Sequence, residues 1–465
     1  MQSLLNDSMI SIKMDRDTEK RVLKRIRPTA RESEMIESAA SRVVDGVNSE
    51  SPRYFSEVGG KITPVIVGSV AKGTYLKEAD VDVFMTFPVT AGRDVLEKVG
   101  LELGRKVLDK PVVKYAEHPY IRGVMGGVNI DLVPCYAVED PGMKMSAVDR
   151  TPFQSRYVNS KIEQFQRDEV RLLKRFFKGI GVYGAEARVN GFSGYLTELL
   201  VLSYGTFAAT VNSISRWKRG EVVIVPGTKL GAKLEGSDAL LTLPDPVDAD
   251  RNVAAALGPD AFSIAVMACH RYVRRADIRF FFPVQQPPAD LPSIKRAISE
   301  SGHGLLLLTI AKPDVVDDNL YPQIQKAKRN IISLLNKHEF VVNRTAFSVD
   351  GKIKILFEMR QRTYPSSWLR AGPEGWSSNS PVFIDKHRKA GGSVSLVDGV
   401  LYSEEKKPFA TPGRLLENSI GELSLGADID GMKHTAEVSS DAAVIDAGNR
   451  ALLSSLLFYR FPWEY

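Results

Sequence analysis

Three aspartates and a glycine-serine pair are the residues of this chain whose types and spacing could do chemistry. Asp80 and Asp82 open the run at 80–87, where Val81, Val83, Met85 and Phe87 recur at every second position. A period of two predicts a strand, with those four on a core face and the two acids together on the other. Their Cα atoms then stand roughly 6.5–7 Å apart. Carboxylates at that separation can converge on two divalent ions about 3.5–4 Å apart, the spacing of two-metal phosphoryl-transfer sites. Upstream, the apolar residues 64–67 read as a short buried strand that Gly68-Ser69 breaks. Gly68 permits close approach of backbone to phosphate. The NH groups from Ser69 onward, the Ser69 hydroxyl and Lys72 are then available to hold a triphosphate tail. Alone, Asp-x-Asp also fits a solvated strand edge and Gly-Ser a turn. The functional reading rests on the combination: strand, Gly-Ser, then Asp-x-Asp opening a second strand.

A third acid belongs with these. Short strands are expected at 111–115, 120–124 and 128–133, and in the last Ile130 and Leu132 face one way while Asp131 faces the other. Neighbouring strands lie about 4.8 Å apart, so an acid on an adjacent strand can reach the same ions. The expected roles are Asp80 and Asp82 as ligands of both metals, with Asp131 holding the catalytic ion and acting as base toward an attacking hydroxyl. His118, on the turn before Tyr120, fits either a structural histidine or a contact of the site.

The elements that must position these groups follow from periodicity. Helices are expected at 17–26, from 29 or 32 to 47, and at 93–109. Residues 142–149 are polar and contain Gly and Ser, which predicts a hinge. Thr151-Pro152-Phe153-Gln154 then opens a second domain. A helix at 162–180 sets Arg167, Arg171, Lys174 and Lys178 on one stripe, either a phosphate clamp or a solvated face. Ser193 reads as the N-cap of a helix at 196–207. Further on come a helix at 261–275 ending in Arg274-Arg275, a proline-rich connection at 283–292, a strand at 305–310 and a helix at 320–338. Asp350-Gly351 and Asp398-Gly399 each mark a two-residue hairpin. Arg360, Arg362, Tyr364, Trp368 and Arg370 could grip and stack RNA, or stabilise a surface loop. Helices at 413–423 and 440–458 are expected to finish the chain.

The whole chain bounds these readings. At 465 residues it exceeds one ordinary core, and 43% apolar with 25% charged residues is a soluble globular composition. The net charge of +6 favours a polyanionic partner. Cys135 and Cys269, the two cysteines, make no disulfide framework or metal site, which suits a reducing cytoplasm. The N-terminus reads as polar, without a signal peptide, and no apolar run nears the roughly 20 residues that span a bilayer.

GSVAKGTYL…DVDVF resembles the signature of polymerase-beta-type nucleotidyltransferases. EHPYIRGVMGGVNIDLVPCY, DRTPFQSRY, EVRLLKRFFKGIGVYGAEARVNGFSGYLTELL, DADRNVAAAL and KPDVVDDNLYPQI resemble the archaeal, class I, CCA-adding tRNA nucleotidyltransferases from about residue 30 to 335. That resemblance implies an α+β multidomain protein: a nucleotidyltransferase head (1–150), a mainly helical nucleotide-binding neck (151–258), a body in two parts (259–303 and 386–465) and a small α+β tail (304–385). It implies two Mg²⁺ ions on Asp80, Asp82 and Asp131, and nucleotide contacts from Gly68, Ser69, Lys72, Thr151, Gln154, Lys174, Tyr183 and Arg251, the last helping to select the base. Gln154 stands where the family usually has histidine, which weakens a phosphate contact there. The implied partners are ATP, CTP and tRNA lacking its 3′ CCA, with Arg274, Arg275, Arg360 and Arg362 as candidate tRNA contacts. A homodimer stays open. The competing readings are another nucleotidyltransferase, such as a poly(A) polymerase, or an RNA-binding relative that has lost catalysis.

Overall fold

Residues 16–115, 118–143 and 145–464 are described by the computed structural model. They divide into two units, 16–285 with 461–464, and 286–460.

The first unit begins with helices α1 (Arg16–Ile26) and α2 (Ala30–Glu50). Thr29 caps α2 through a reciprocal bond with Glu32, which satisfies two otherwise unpaired backbone donors. Its buried face is Ile36, Ala39, Ala40, Val43 and Val47, at helical spacing. A five-stranded sheet follows, in the order β1 (Thr63–Val67), β2 (Val81–Phe87), β5 (Val128–Tyr136), β4 (Pro119–Met125), β3 (Asp109–Tyr115). Only β2 and β5 pair in parallel. Val81, Val83, Met85 and Phe87 are fully buried, as their alternation requires, beneath α2 and α3 (Arg93–Val107). Helix α3 lies close on the sheet because it presents glycines there: a Cβ on Gly104 would come within 2.5 Å of Ile121. The opposite face carries Asp82, with Phe84, Val67, Val133 and Cys135 in a smaller cluster.

The expected hinge at 142–149 ends in a pinned corner. Asp149 is fully buried and accepts from the backbone NH groups of Tyr136, Met145 and Ser146 at 2.6–2.9 Å. A polar sequence here marks a side chain serving backbone donors. Next come α4 (Thr151–Lys161), α5 (Gln166–Gly179), α6 (Gly194–Tyr204), α7 (Phe207–Ile214) and α8 (Pro259–Arg274). Ser193 caps α6 by accepting from Leu196 NH. Phe176, Phe177, Phe207, Tyr272, Phe280 and Phe281 make an aromatic core, to which α1 adds Val22 and Ile26. Trp463 stacks on Phe280 at 5.5 Å.

In the second unit, β7 (Val342–Asp350), β8 (Lys352–Met359), β6 (Gly304–Ala311) and β12 (Glu437–Ser440) form an antiparallel sheet in that order. One face packs on α10 (Asp317–Lys337) and α12 (Pro412–Ser419), the other on α9 (Leu291–Ser301) and α13 (Arg450–Leu457). A smaller sheet orders β9 (Ser367–Glu374), β11 (Val400–Lys406) and β10 (Val394–Val397), beside α11 (Ser380–Lys389). Both Asp-Gly hairpins form. Two expectations change. Residues 440–458 are not one helix: 437–440 pair with the free edge of β6, two short 3-10 turns follow, and α-helix begins only at Arg450. Filling an exposed row of backbone groups outweighed local helical preference. The proline-rich connection stops at Asp290, which caps α9, and Pro292 sits in the first helical turn, where proline costs no hydrogen bond.

Replacing Asp149 by Ala should strand three backbone donors and lower the unfolding free energy by about 2–4 kcal/mol. Urea unfolding of the two proteins checks this; equal midpoints would show that the corner contributes nothing.

Candidate active site

The three acids stand where strand register puts them. In the parallel pair Asp82 is the Cα partner of Asp131, and in the next, antiparallel pair Asp131 is the partner of Arg122. On the other side Asp82 pairs with Val67, next to Gly68. One row thus runs across four strands: Val67, Asp82, Asp131, Arg122. Asp80 lies just before β2 rather than within it. Gly68 is in the left-handed region (φ 68°), and a Cβ there would meet Asp82 Oδ2 at 2.0 Å. In this structure the close approach that demands glycine is therefore to Asp82 itself.

Arg122 is the site's unforeseen member. Its Nε and Nη2 donate to Oδ1 and Oδ2 of Asp131, both at 2.7 Å, and Nη2 also donates to Asp80 Oδ2 at 2.9 Å. Asn129 Nδ2 donates to Asp80 Oδ1 at 3.2 Å. Burial, then the neighbouring Asp131 and Asp80, push the Asp82 carboxyl up to about 7. Its ionisation calls for a cation. As the carboxylates stand, no three acid, histidine or cysteine side chains among the described residues are gathered into a ready metal cage. The oxygens nonetheless share one hollow of about 260 Å³, lined by Ser69, Asp80, Asp82, Asp131, Lys174, Lys178 and Tyr183. An all-carboxylate donor set suits a hard divalent cation.

An adjoining hollow of about 250 Å³ contains Gly68, Ser69, Lys72, Asp82, Thr151, Gln154, Lys174, Tyr183 and Tyr195. Its floor is Glu198, 1% exposed, which accepts Lys72 Nζ at 2.5 Å and Lys174 Nζ at 3.0 Å. Thr74 Oγ1 donates to Glu198 Oε1 at 2.6 Å. Burial raises the Glu198 carboxyl, but Lys174 and Lys72 outweigh it and bring it down to about 2. Two lysines around one glutamate leave a net positive charge facing the hollow. Burial likewise pushes the Lys178 ammonium and the Tyr183 hydroxyl toward their neutral forms.

The basic stripe of α5 divides in two. Arg171 donates to the carbonyls of Tyr75 and Gly73 at 2.9 and 2.6 Å, and Arg167 Nη1 donates to Gln164 Oε1 at 2.5 Å. These two brace the helix and the loop after Ser69, while Lys174 and Lys178 face the acids. The stripe as a four-residue phosphate clamp is thereby corrected to a two-lysine face.

A third buried acid organises the remaining polar groups. Asp245 is fully buried and accepts Gln154 Nε2 at 2.7 Å, Tyr195 Oη at 2.8 Å and Arg251 Nη1 at 3.0 Å. Gln154, standing in for histidine, therefore spends its amide on Asp245. Arg251 lines neither hollow. His118 Nδ1 lies 3.3 Å from Glu97 on α3 and packs edge-on to Tyr136, which fits the structural alternative. Arg274 and Arg275 are exposed at the end of α8, and Arg360 and Arg362 are exposed after β8 in the second unit.

Replacing Glu198 by Gln leaves two buried ammonium groups unneutralised and should lower stability at pH 7 by about 3–5 kcal/mol. Because the folded carboxyl lies below its ordinary 4.5, the wild-type advantage is complete above that pH and shrinks as pH falls toward 2. Urea titrations across that range read it; a gap that stays constant would contradict the charge assignment.

Comparison with known proteins now has a geometry to meet. Residues 50–154 match the model for the nucleotidyltransferase domain, 168–282 the second domain of tRNA nucleotidyltransferase, and 301–441 the C-terminal domain of CCA-adding enzymes. The chain is 35% identical to the CCA-adding enzyme of Thermoplasma volcanium over 90% of its own length and 92% of that protein's. It is 37% identical to the CCA-adding enzyme of Archaeoglobus fulgidus over 78% and 82%. Among solved structures, a Cid1 poly(U) polymerase with MgATP aligns at a TM-score of 0.45 and 14% identity, covering 57% of this chain and 96% of that one. Enzymes of this nucleotidyltransferase class use divalent metal ions. With relatives this similar over nearly the full length, and family models matching from the acid-bearing sheet to the second unit, the chain belongs to the CCA-adding enzymes, the tRNA nucleotidyltransferases.

Proposed function

We propose that this protein adds or repairs the 3′-terminal CCA of tRNA from CTP and ATP without a nucleic-acid template. The observation that carries the reading is one cleft in which three carboxylates lie beside two lysines braced on a buried glutamate. In this reading the 3′ hydroxyl of the tRNA attacks the α-phosphate in line and pyrophosphate leaves. Asp80, Asp82 and Asp131 hold two Mg²⁺ ions, which when bound supply electrostatic stabilisation of the developing charge. Asp131 accepts the proton of the attacking hydroxyl. Ser69, Lys72, Lys174 and Tyr183 hold the triphosphate, with Thr151 at the start of α4 beside them. Lys72 and Lys174 are fixed by Glu198, so little side-chain freedom is lost when phosphate arrives.

Arg251 reads the incoming base from a guanidinium anchored on Asp245. Gln154 contributes to that anchor rather than to a phosphate. The second unit holds the tRNA by shape and phosphate contacts, as A-form RNA hides its base edges in a narrow major groove. Arg360 and Arg362 of the second unit, with Arg274 and Arg275 of the first, are the basic residues assigned to tRNA. No helix among the described residues is long and apolar enough to cross a membrane, and tRNA repair suits a cytoplasmic enzyme.

Incubation with tRNA lacking CCA and each nucleotide separately tests the reading. CTP alone should extend the tRNA by the missing cytidines and ATP should then close the end; homopolymer from ATP alone would overturn it. Asp82→Ala should abolish incorporation while tRNA affinity, read by filter binding, stays within about twofold, since phosphate contacts elsewhere dominate it. Normal turnover in that variant would remove the acids from the mechanism. Lys174→Ala should raise the KM for nucleotide; an unchanged KM would separate this lysine from the triphosphate.

A further inference from the structure

We propose that Arg122 is the resident counter-ion of the acid cluster, which divalent ions must displace. The inference rests on the metal-site reading above and extends it. Three observations carry it. Register is the first: β4, β5 and β2 set Arg122, Asp131 and Asp82 in one row, so the guanidinium is built into the sheet opposite the acid. The second is saturation. Arg122 takes both oxygens of Asp131 and Oδ2 of Asp80, and Asn129 takes the remaining oxygen of Asp80. A metal bound by these acids competes with donors already in place. The third is room to move, since the Arg122 side chain is 40% exposed.

Arginine keeps its charge at any physiological pH and its fork matches a carboxylate bidentately, so it offsets part of the cluster's charge without a metal. With all three carboxylates ionised, one guanidinium leaves the cluster a net charge of −2. That leaves the cluster attractive to a divalent ion, but at the cost of breaking a charge-assisted fork. A nucleotide changes the balance, because its triphosphate brings further ligands for the same ion. Arg122 therefore holds metal affinity low in the free protein and lets it rise when nucleotide enters. Asp82 is the one acid of the three that Arg122 does not bond.

Mn²⁺ alone, titrated into the full-length protein and read by the electron paramagnetic resonance of the free ion, tests this. Arg122→Gln should bind Mn²⁺ more tightly than wild type by roughly tenfold, the scale of one lost charge-assisted competitor. Its melting temperature without metal should fall, and the rise caused by Mn²⁺ should exceed that of wild type. Arg122→Lys, which keeps the charge and loses the fork, should lie between, and it supplies the same comparison should the Gln variant fold poorly. Unchanged affinity would overturn the proposal. So would a loss of 10–100-fold, the usual result of removing a group that merely orients metal ligands. Asp82→Ala separates the two levels: if it binds Mn²⁺ as wild type does, the metal site itself is wrong and the Arg122 proposal falls with it.

Discussion

Parallel pairing of β2 with β5 is the constraint on which the rest depends. It sets Asp82 beside Asp131 at strand spacing, and no small side-chain adjustment could do the same. A slip of one residue in either strand would turn its acid into the apolar layer under α2 and α3. The pairing is held by that layer: Val81, Val83, Ile130 and Leu132 are all fully buried, so the hydrophobic pattern that fixes the sheet also fixes the charge row on its other face. The cost is burial of charge, compounded by like-charge repulsion, and it is visible in the raised carboxyl of Asp82.

That cost recurs three times and is met in the same way. Asp131 and Asp80 face Arg122; Glu198 faces Lys72 and Lys174; Asp245 faces Arg251 with Gln154 and Tyr195. Each cluster lies within the unit formed by the sheet and the helices after it. One of them ties the sheet and helical layers directly: Lys72 follows the short helical turn after β1, while Lys174 and Glu198 come from α5 and α6. Buried pairs of this kind are weak sources of net stability but strong sources of position. A nucleotide-binding cleft needs its cations already placed.

Much of this was legible in the chain itself. The alternation at 81–87 and 128–133 and the glycine-serine break located the sheet, the three acids, Ser69 and Lys72, and the resemblance added Thr151, Gln154, Tyr183 and Arg251. Arg122 could have been found: the Gly126-Gly127 turn centres a hairpin, and counting outward from it places Arg122 opposite Asp131. Glu198 also left a sign, since one acid in the otherwise apolar helix GYLTELLVLSY has to be paired. Asp245 left none, because Gln154 and Tyr195 lie 91 and 50 residues away and only the fold brings them together. The last helix was misread, and the Asp149 corner at the end of the expected hinge went unseen, for one shared reason: local composition does not reveal which backbone groups need a partner.

The measurement closest to the central claim is a crystal structure of the full chain with Mn²⁺ and CTP, with the manganese located by anomalous scattering. The account predicts manganese between Asp80, Asp82 and Asp131, the triphosphate against Lys72 and Lys174, and Arg122 turned off Asp80. Manganese bound elsewhere, or a triphosphate lying away from those two lysines, would contradict it.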